Sequence, residues 1–170
     1  MAFRRTPKYV VERTSRGYVF NLQQEEIDLV VRLFAELRAL ILSDDPQHAP
    51  LVRRLFPPAY HLSDDAEAEA EYQKFMRDDL VASRIESIAM VETALAERTP
   101  LDDGAIQGFL QSLNAVRLVL GTLLDVSEEH DPSTVRDDDP MAGEHHLYTF
   151  LSWLLECTVQ ALTREGTSRS

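Results

Sequence analysis

Ile27, Val30, Phe34, Leu37 and Ile41 recur at alternating three- and four-residue steps. On a helix that spacing puts all five side chains along one side, and an apolar stripe of this length must be covered by another apolar surface. The stripe predicts a helix over about 23–42, favoured at its start by Glu25 and Glu26 and ended by Asp44-Asp45-Pro46. Three further segments carry comparable spacing. One opens near Ser63 and follows Tyr72, Phe75 or Met76, Leu80 or Val81, Ile88, Val91 and Leu95 up to Thr99-Pro100. Another is capped by Asp102 or Asp103 and follows Ile106, Phe109, Leu110, Leu113, Leu120 and Leu124. In it Val116, Leu118, Val119 and Leu123 widen the stripe until the helix is apolar nearly all round, which predicts a central position. The last runs over about 144–164 on Leu147, Leu151, Leu154, Thr158, Ala161 and Leu162. Leu51–Phe56 supplies one or two more helical turns before Pro57-Pro58.

Ahead of the helices, Tyr9-Val10-Val11 and Tyr18-Val19-Phe20 are strand-forming runs flanking Thr14-Ser15-Arg16-Gly17, where Gly17 can take a positive φ in a bulged turn. The expected fold is therefore mainly α: a four-helix bundle-like core with an N-terminal β-hairpin over 9–22, helices over 23–164, one domain over 1–165, and a disordered tail over 166–170. A chain of 170 residues is about one ordinary domain. An isolated hairpin is marginal in water, so this one is expected to lie on the helices or to pair with another chain. Tyr9, Val11, Tyr18 and Phe20 are its candidate contact residues, for a homodimer or for a partner.

The net charge is −12, yet residues 1–16 hold Arg4, Arg5, Lys8, Arg13 and Arg16 against Glu12 alone, a balance of +4. An acidic body repels phosphate backbones, so nucleic-acid contact is expected to be weak, confined to this arm, and dependent on a protein partner for strength. No apolar run approaches the ~20 residues of a membrane span, and no apolar core follows the N-terminal charges as in a signal peptide. With a single cysteine, Cys157, these features favour a soluble, cytoplasmic protein.

Three strings have a familial look: Arg54-Leu55-Phe56-Pro57-Pro58-Ala59-Tyr60 with Glu71-Tyr72 and Asp78-Asp79-Leu80 behind it; Leu113-Asn114-Ala115-Val116-Arg117-Leu118-Val119-Leu120-Gly121 followed by Glu128-Glu129-His130; and Tyr148-Thr149-Phe150-Leu151-Ser152-Trp153-Leu154-Leu155-Glu156. Together they resemble a small actinobacterial family of unknown function whose best-studied member is described as an oxidative-stress transcription regulator. The resemblance covers nearly the whole chain. It implies a cytoplasmic regulatory protein acting with a partner such as a stress sigma factor at promoters of cysteine-biosynthesis genes. Family genes often neighbour that of a Clp-protease adaptor, which implies the alternative of an adaptor or scaffold in protein turnover. The regulator is described as sensing redox state through a cysteine pair; Cys157 alone does not supply one.

Among chemistry-bearing residues, Arg117 falls on the seam between Leu113 and Leu120, with Asn114 one turn earlier. A guanidinium there is expected to be mostly buried and paired with Glu71, Asp78, Asp79 or Glu156. Such a pair either fixes helix register or anchors a carboxylate or phosphate ligand. Cys157 lies on the last stripe as a small hydrophobe, with Glu156 expected to raise its pKa, and it is the sole redox candidate. Adjacent His145 and His146 chelate poorly, and the carboxylates of 125–142 lack calcium-loop spacing, so no metal or cofactor is expected. Six glycines, no phosphate loop, no nucleophile elbow and no Cys-x-x-Cys pair point away from an enzyme.

Overall fold

The structure, a computed structural model, describes residues 8–56, 66–124 and 140–167. In chain order its elements are β1 (Val11–Thr14), β2 (Gly17–Phe20), α1 (Gln24–Ile41), α2 (Ala49–Leu55), α3 (Ala66–Ala96), α4 (Asp103–Leu124) and α5 (Ala142–Thr167). The expected cap at Ser63, the acidic segment 125–139, Arg4, Arg5 and residues 168–170 lie outside the described residues. α5 extends to Thr167, two residues into the segment expected as a tail, a difference of the size by which helix ends ordinarily vary.

Helix starts follow the sequence chemistry. The Glu26 carboxylate accepts from the Gln23 N–H at 2.8 Å and holds the entry to α1. Of the two candidate caps for α4, Asp102 is the one used, its carboxylate accepting from the Ala105 N–H at 2.7 Å. At the other end of α3, Arg98 takes a left-handed conformation at φ 53°. The Thr99 N–H then reaches back to the Ala94 carbonyl at 2.9 Å, and the Arg98 guanidinium donates to the Leu22 carbonyl at 3.1 Å.

α4 is the middle of the molecule. It packs on α1 and α3, on α5, and on α2 and β2. Its N-terminal part is buried at Ala105, Ile106, Phe109 and Leu113. Gly108 lets α3 come close, since a Cβ there would run into the Ser87 side chain. The central position expected for this helix is the one observed, although Leu118 and Leu123 in its second half are exposed. α1 and α3 pack on each other through Ile27, Val30, Phe34 and Leu37 on one side and Ile88, Val91 and Leu95 on the other.

The hairpin pairs Val11 with Phe20 and Thr14 with Gly17, in regular antiparallel register with no bulge. Gly17 has the expected positive φ, at 126°. Tyr18 then makes a second pairing: its N–H donates to the Leu101 carbonyl at 2.7 Å, and the Leu101 N–H returns to the Tyr18 carbonyl at 2.9 Å. Leu101, between α3 and α4, serves as a one-residue third strand. Val11, Tyr18 and Phe20 are buried in the chain's own core. This corrects their reading as partner contacts: the hairpin covers its apolar face on α4 and α5, so it needs no second chain for stability.

Candidate functional site

α3 is the element whose burial departs most from expectation. Its 31 residues span about 46 Å at 1.5 Å per residue. Ile88, Val91 and Leu95 are buried, yet Tyr72 is 59 % exposed, Phe75 69 %, Met76 46 % and Leu80 50 %. At ~100° per residue, Tyr72, Phe75 and Met76 lie roughly 160°, 140° and 120° around the helix from Ile88. What reads as one stripe is two, on opposite sides. Tyr72, Met76, Leu80, Arg84 and Ile88 are four residues apart, and each such step advances roughly 40°, so the series walks half-way round the helix. Met90, 56 % exposed, lies on the Tyr72 side. Tyr72, Met76, Asp79, Ser83, Glu86 and Met90 then follow the alternating four–three rhythm of a helix-pairing seam. All six are exposed.

The exposed seam of this helix holds carboxylates and none of the helix's basic side chains. Asp79 and Glu86 sit in the exposed seam, roughly 180° and 160° from Ile88, whereas Lys74, Arg77 and Arg84 all lie within roughly 40° of it. Burial pushes the Arg84 pKa below the ordinary guanidinium value.

Arg117 does not do what its spacing suggests. It is half-buried; it donates to Asn114 Oδ1 of its own helix at 3.2 Å and sits 6.0 Å from the Tyr148 ring centre. No described carboxylate forms a salt bridge with it, and its expected partners Glu71, Asp78, Asp79 and Glu156 are all exposed. Helix spacing placed Arg117 on a stripe, but Val116 and Leu120 fill the buried side of α4 there, and Arg117 at its margin can extend its guanidinium toward solvent. The cross-helix ion pair is instead Arg38–Glu92 at 3.2 Å, joining α1 to α3. The sequence signal for it was the position of each residue directly after a stripe residue, Leu37 and Val91.

The basic arm is partly engaged. Arg13 lies 3.8 Å from Asp103 and 5.6 Å from the Tyr18 ring. Arg164 of α5 stacks 3.8 Å over Tyr9 and donates to the Val11 carbonyl at 3.0 Å, which fastens the hairpin to α5. Lys8 sits 5.1 Å from the Tyr9 ring, and Lys8 and Arg16 are exposed. A cleft of about 600 Å³ opens between Tyr9, Glu12, Arg13, Ala161 and Arg164.

An apolar groove of about 480 Å³ lies between α1, α2, α4 and α5, lined by Leu33, Leu40, Leu51, Val119, Leu123 and Leu147, with Glu36 and His48 at its edge. His48 Nδ1 is 2.7 Å from the Ser43 hydroxyl. Arg117 and Asn114 line neither space. Among the described residues no three His, Cys, Asp or Glu side chains converge as for a metal ion, and no helix is long and apolar enough to cross a membrane.

Cys157 is half-buried against the core. Burial and then the neighbouring Glu156 carboxylate push its thiol pKa up, with Arg164 opposing them. The thiolate is the reactive form, so labelling by a thiol reagent is expected to be slow at neutral pH and to accelerate only above the ordinary cysteine range. Complete labelling within seconds at neutral pH, at a rate that denaturant leaves unchanged, would make Cys157 a reactive sensor thiol instead.

The fold is thus a hairpin-capped helical domain with a long helix, α3, whose N-terminal half is largely exposed. The chain belongs to the family described as a domain of unknown function (DUF2017), whose model matches residues 3–162. No curated protein and no solved structure matches it.

Proposed function

We propose that this protein is a non-enzymatic regulatory interaction protein of the cytoplasm that acts by holding a protein partner on the exposed side of α3. The observation that carries this reading is the set of large apolar side chains, Tyr72, Phe75, Met76, Leu80 and Met90, left 46–69 % exposed on a single helix. Four of them, Tyr72, Phe75, Met76 and Leu80, fall within nine residues, and exposed apolar side chains gathered in this way mark interaction sites in proteins that otherwise cover such groups. The resemblance to the actinobacterial stress regulators makes a sigma factor the partner to test first. The net charge of −12 supports recruitment to promoters through that partner rather than by DNA contact.

The test is a titration of labelled promoter DNA at ~150 mM salt, with the protein alone and with the purified stress sigma factor of its source. The protein alone is expected to show only weak, salt-sensitive association. Addition of the sigma factor is expected to recruit it, and Phe75→Ser/Met76→Ser to abolish the recruitment. Nanomolar, sequence-dependent binding without a partner, or recruitment indifferent to the two substitutions, would overturn the reading.

A second reading draws on the apolar groove, whose volume of about 480 Å³ lies within the range of small-ligand pockets. There the protein binds an apolar ligand near Leu33, Leu51 and Leu123, not at Arg117.

A further inference from the structure

The partner's chemistry can be read from α3, an inference that rests on the interaction reading above. We infer that the exposed seam of α3 receives an amphipathic helix of another protein, apolar along one side and carrying lysines or arginines beside that side. Tyr72, Met76 and Met90 supply apolar seam positions, and Phe75 and Leu80 flank them. The seam spans about 27 Å from residue 72 to residue 90 at 1.5 Å per residue, the length of an ordinary partner helix.

Charge decides between a second copy and a different protein. Asp79 and Glu86 occupy the middle of the seam and are exposed. Two copies laid together in parallel set each carboxylate against its own image. Laid antiparallel, they still gather four carboxylates in one contact. Neither arrangement brings up a cation, because Lys74, Arg77 and Arg84 lie on the other side of the helix. A partner with basic side chains next to its apolar stripe meets Asp79 and Glu86 with opposite charge while covering Tyr72, Phe75 and Met76. The same carboxylates keep the stripe from pairing with itself, which is the usual role of charge at such seams.

The probes are two labelled synthetic helices of ~18 residues, enough to cover the seam, with leucines at alternating three- and four-residue steps and either lysine or glutamate elsewhere. Binding to the full chain is followed by fluorescence anisotropy at ~150 mM salt. The lysine helix is expected to bind at least about tenfold more tightly than the glutamate helix. Phe75→Ser/Met76→Ser and, separately, Asp79→Lys/Glu86→Lys are each expected to weaken the lysine helix by about tenfold or more. Asp44→Lys/Glu97→Lys makes the same change in net charge at exposed positions outside the seam, and is expected to change binding less than about twofold.

Equal binding of the two helices overturns the inference, as does an equal loss in the charge-matched control, which would reduce the effect to net charge. So does a dimer at sedimentation equilibrium that Phe75→Ser/Met76→Ser dissociates, since the occupant is then a second copy. Unchanged far-ultraviolet circular dichroism in the variants separates lost contact from lost fold. Sigma-factor recruitment that still needs Phe75 and Met76 while both synthetic helices are ignored overturns only the basic-helix inference. Recruitment insensitive to those residues overturns the interaction reading itself.

Discussion

Replacing Phe109 by alanine is expected to cost about 3–5 kcal/mol of folding stability, the usual range for a buried phenylalanine. Its side chain is 0 % exposed, and its ring lies 4.5 Å from that of Phe20 in β2 and 5.7 Å from that of Phe34 in α1. One side chain therefore joins the hairpin, α1 and α4. Truncation leaves a void that three different elements would have to collapse to fill, and it removes two tilted aromatic contacts worth about 0.5–1.5 kcal/mol each beyond their area. For a chain of this size the loss corresponds to a fall in Tm of about 6–20 °C. Chemical denaturation measures it directly, and a loss under about 1 kcal/mol would show that Phe109 is not the centre of the core. Phe75→Ala, by contrast, is expected to shift stability by no more than about 0.5 kcal/mol, because Phe75 is 69 % exposed.

Gly17→Ala is expected to destabilise by about 2–4 kcal/mol, through two effects that add. Gly17 has φ 126°, where an L side chain is strained, at a cost of about 1–3 kcal/mol. A Cβ there would also collide with the Leu101 carbonyl. That group is backbone and cannot swing aside as a side-chain end would. Relief requires Leu101 to retreat, which loosens its two hydrogen bonds with Tyr18, at 2.7 and 2.9 Å, each worth about 1 kcal/mol. Amide hydrogen exchange is the sharper readout: the Tyr18 and Leu101 amides should lose protection first, ahead of those of α1 and α4. Unchanged protection at both, with a loss under about 0.5 kcal/mol, would mean that the turn absorbs the methyl group and that the Leu101 pairing does not depend on glycine.

The regular parts of this fold were legible because they are local. Ile27 to Ile41 form a helix with one buried side because a 3.6-residue period is a property of the segment itself. Asp102 caps α4, Glu26 closes the entry to α1, and Gly17 takes a positive φ for reasons that reach no farther than three residues along the chain. The upward shift of the Cys157 thiol comes first from burial and only second from Glu156, so just the smaller of its two causes was legible as a neighbour along the chain.

The candidate site was not legible. Periodicity records which residues share a side of a helix; it says nothing of what stands opposite that side or how far the core extends. Tyr72, Phe75 and Met76 have the composition of core residues, and only the end of the packed core near Val81 leaves them facing outward. Arg117 reads as a buried ion-pair partner but lies at the margin of a side filled by Val116 and Leu120, while Arg38 and Glu92 meet because α1 packs on α3 there. The hairpin residues Val11, Tyr18 and Phe20 read equally well as an interface until α4, α5 and Leu101 are seen to cover them. The helical segments, the hairpin and the positive φ of Gly17 follow from spacing and backbone preference within a few residues, and the sequence sufficed for them. Which apolar surface is core and which is left exposed emerges only on folding, because burial depends on the whole set of neighbours brought together in space.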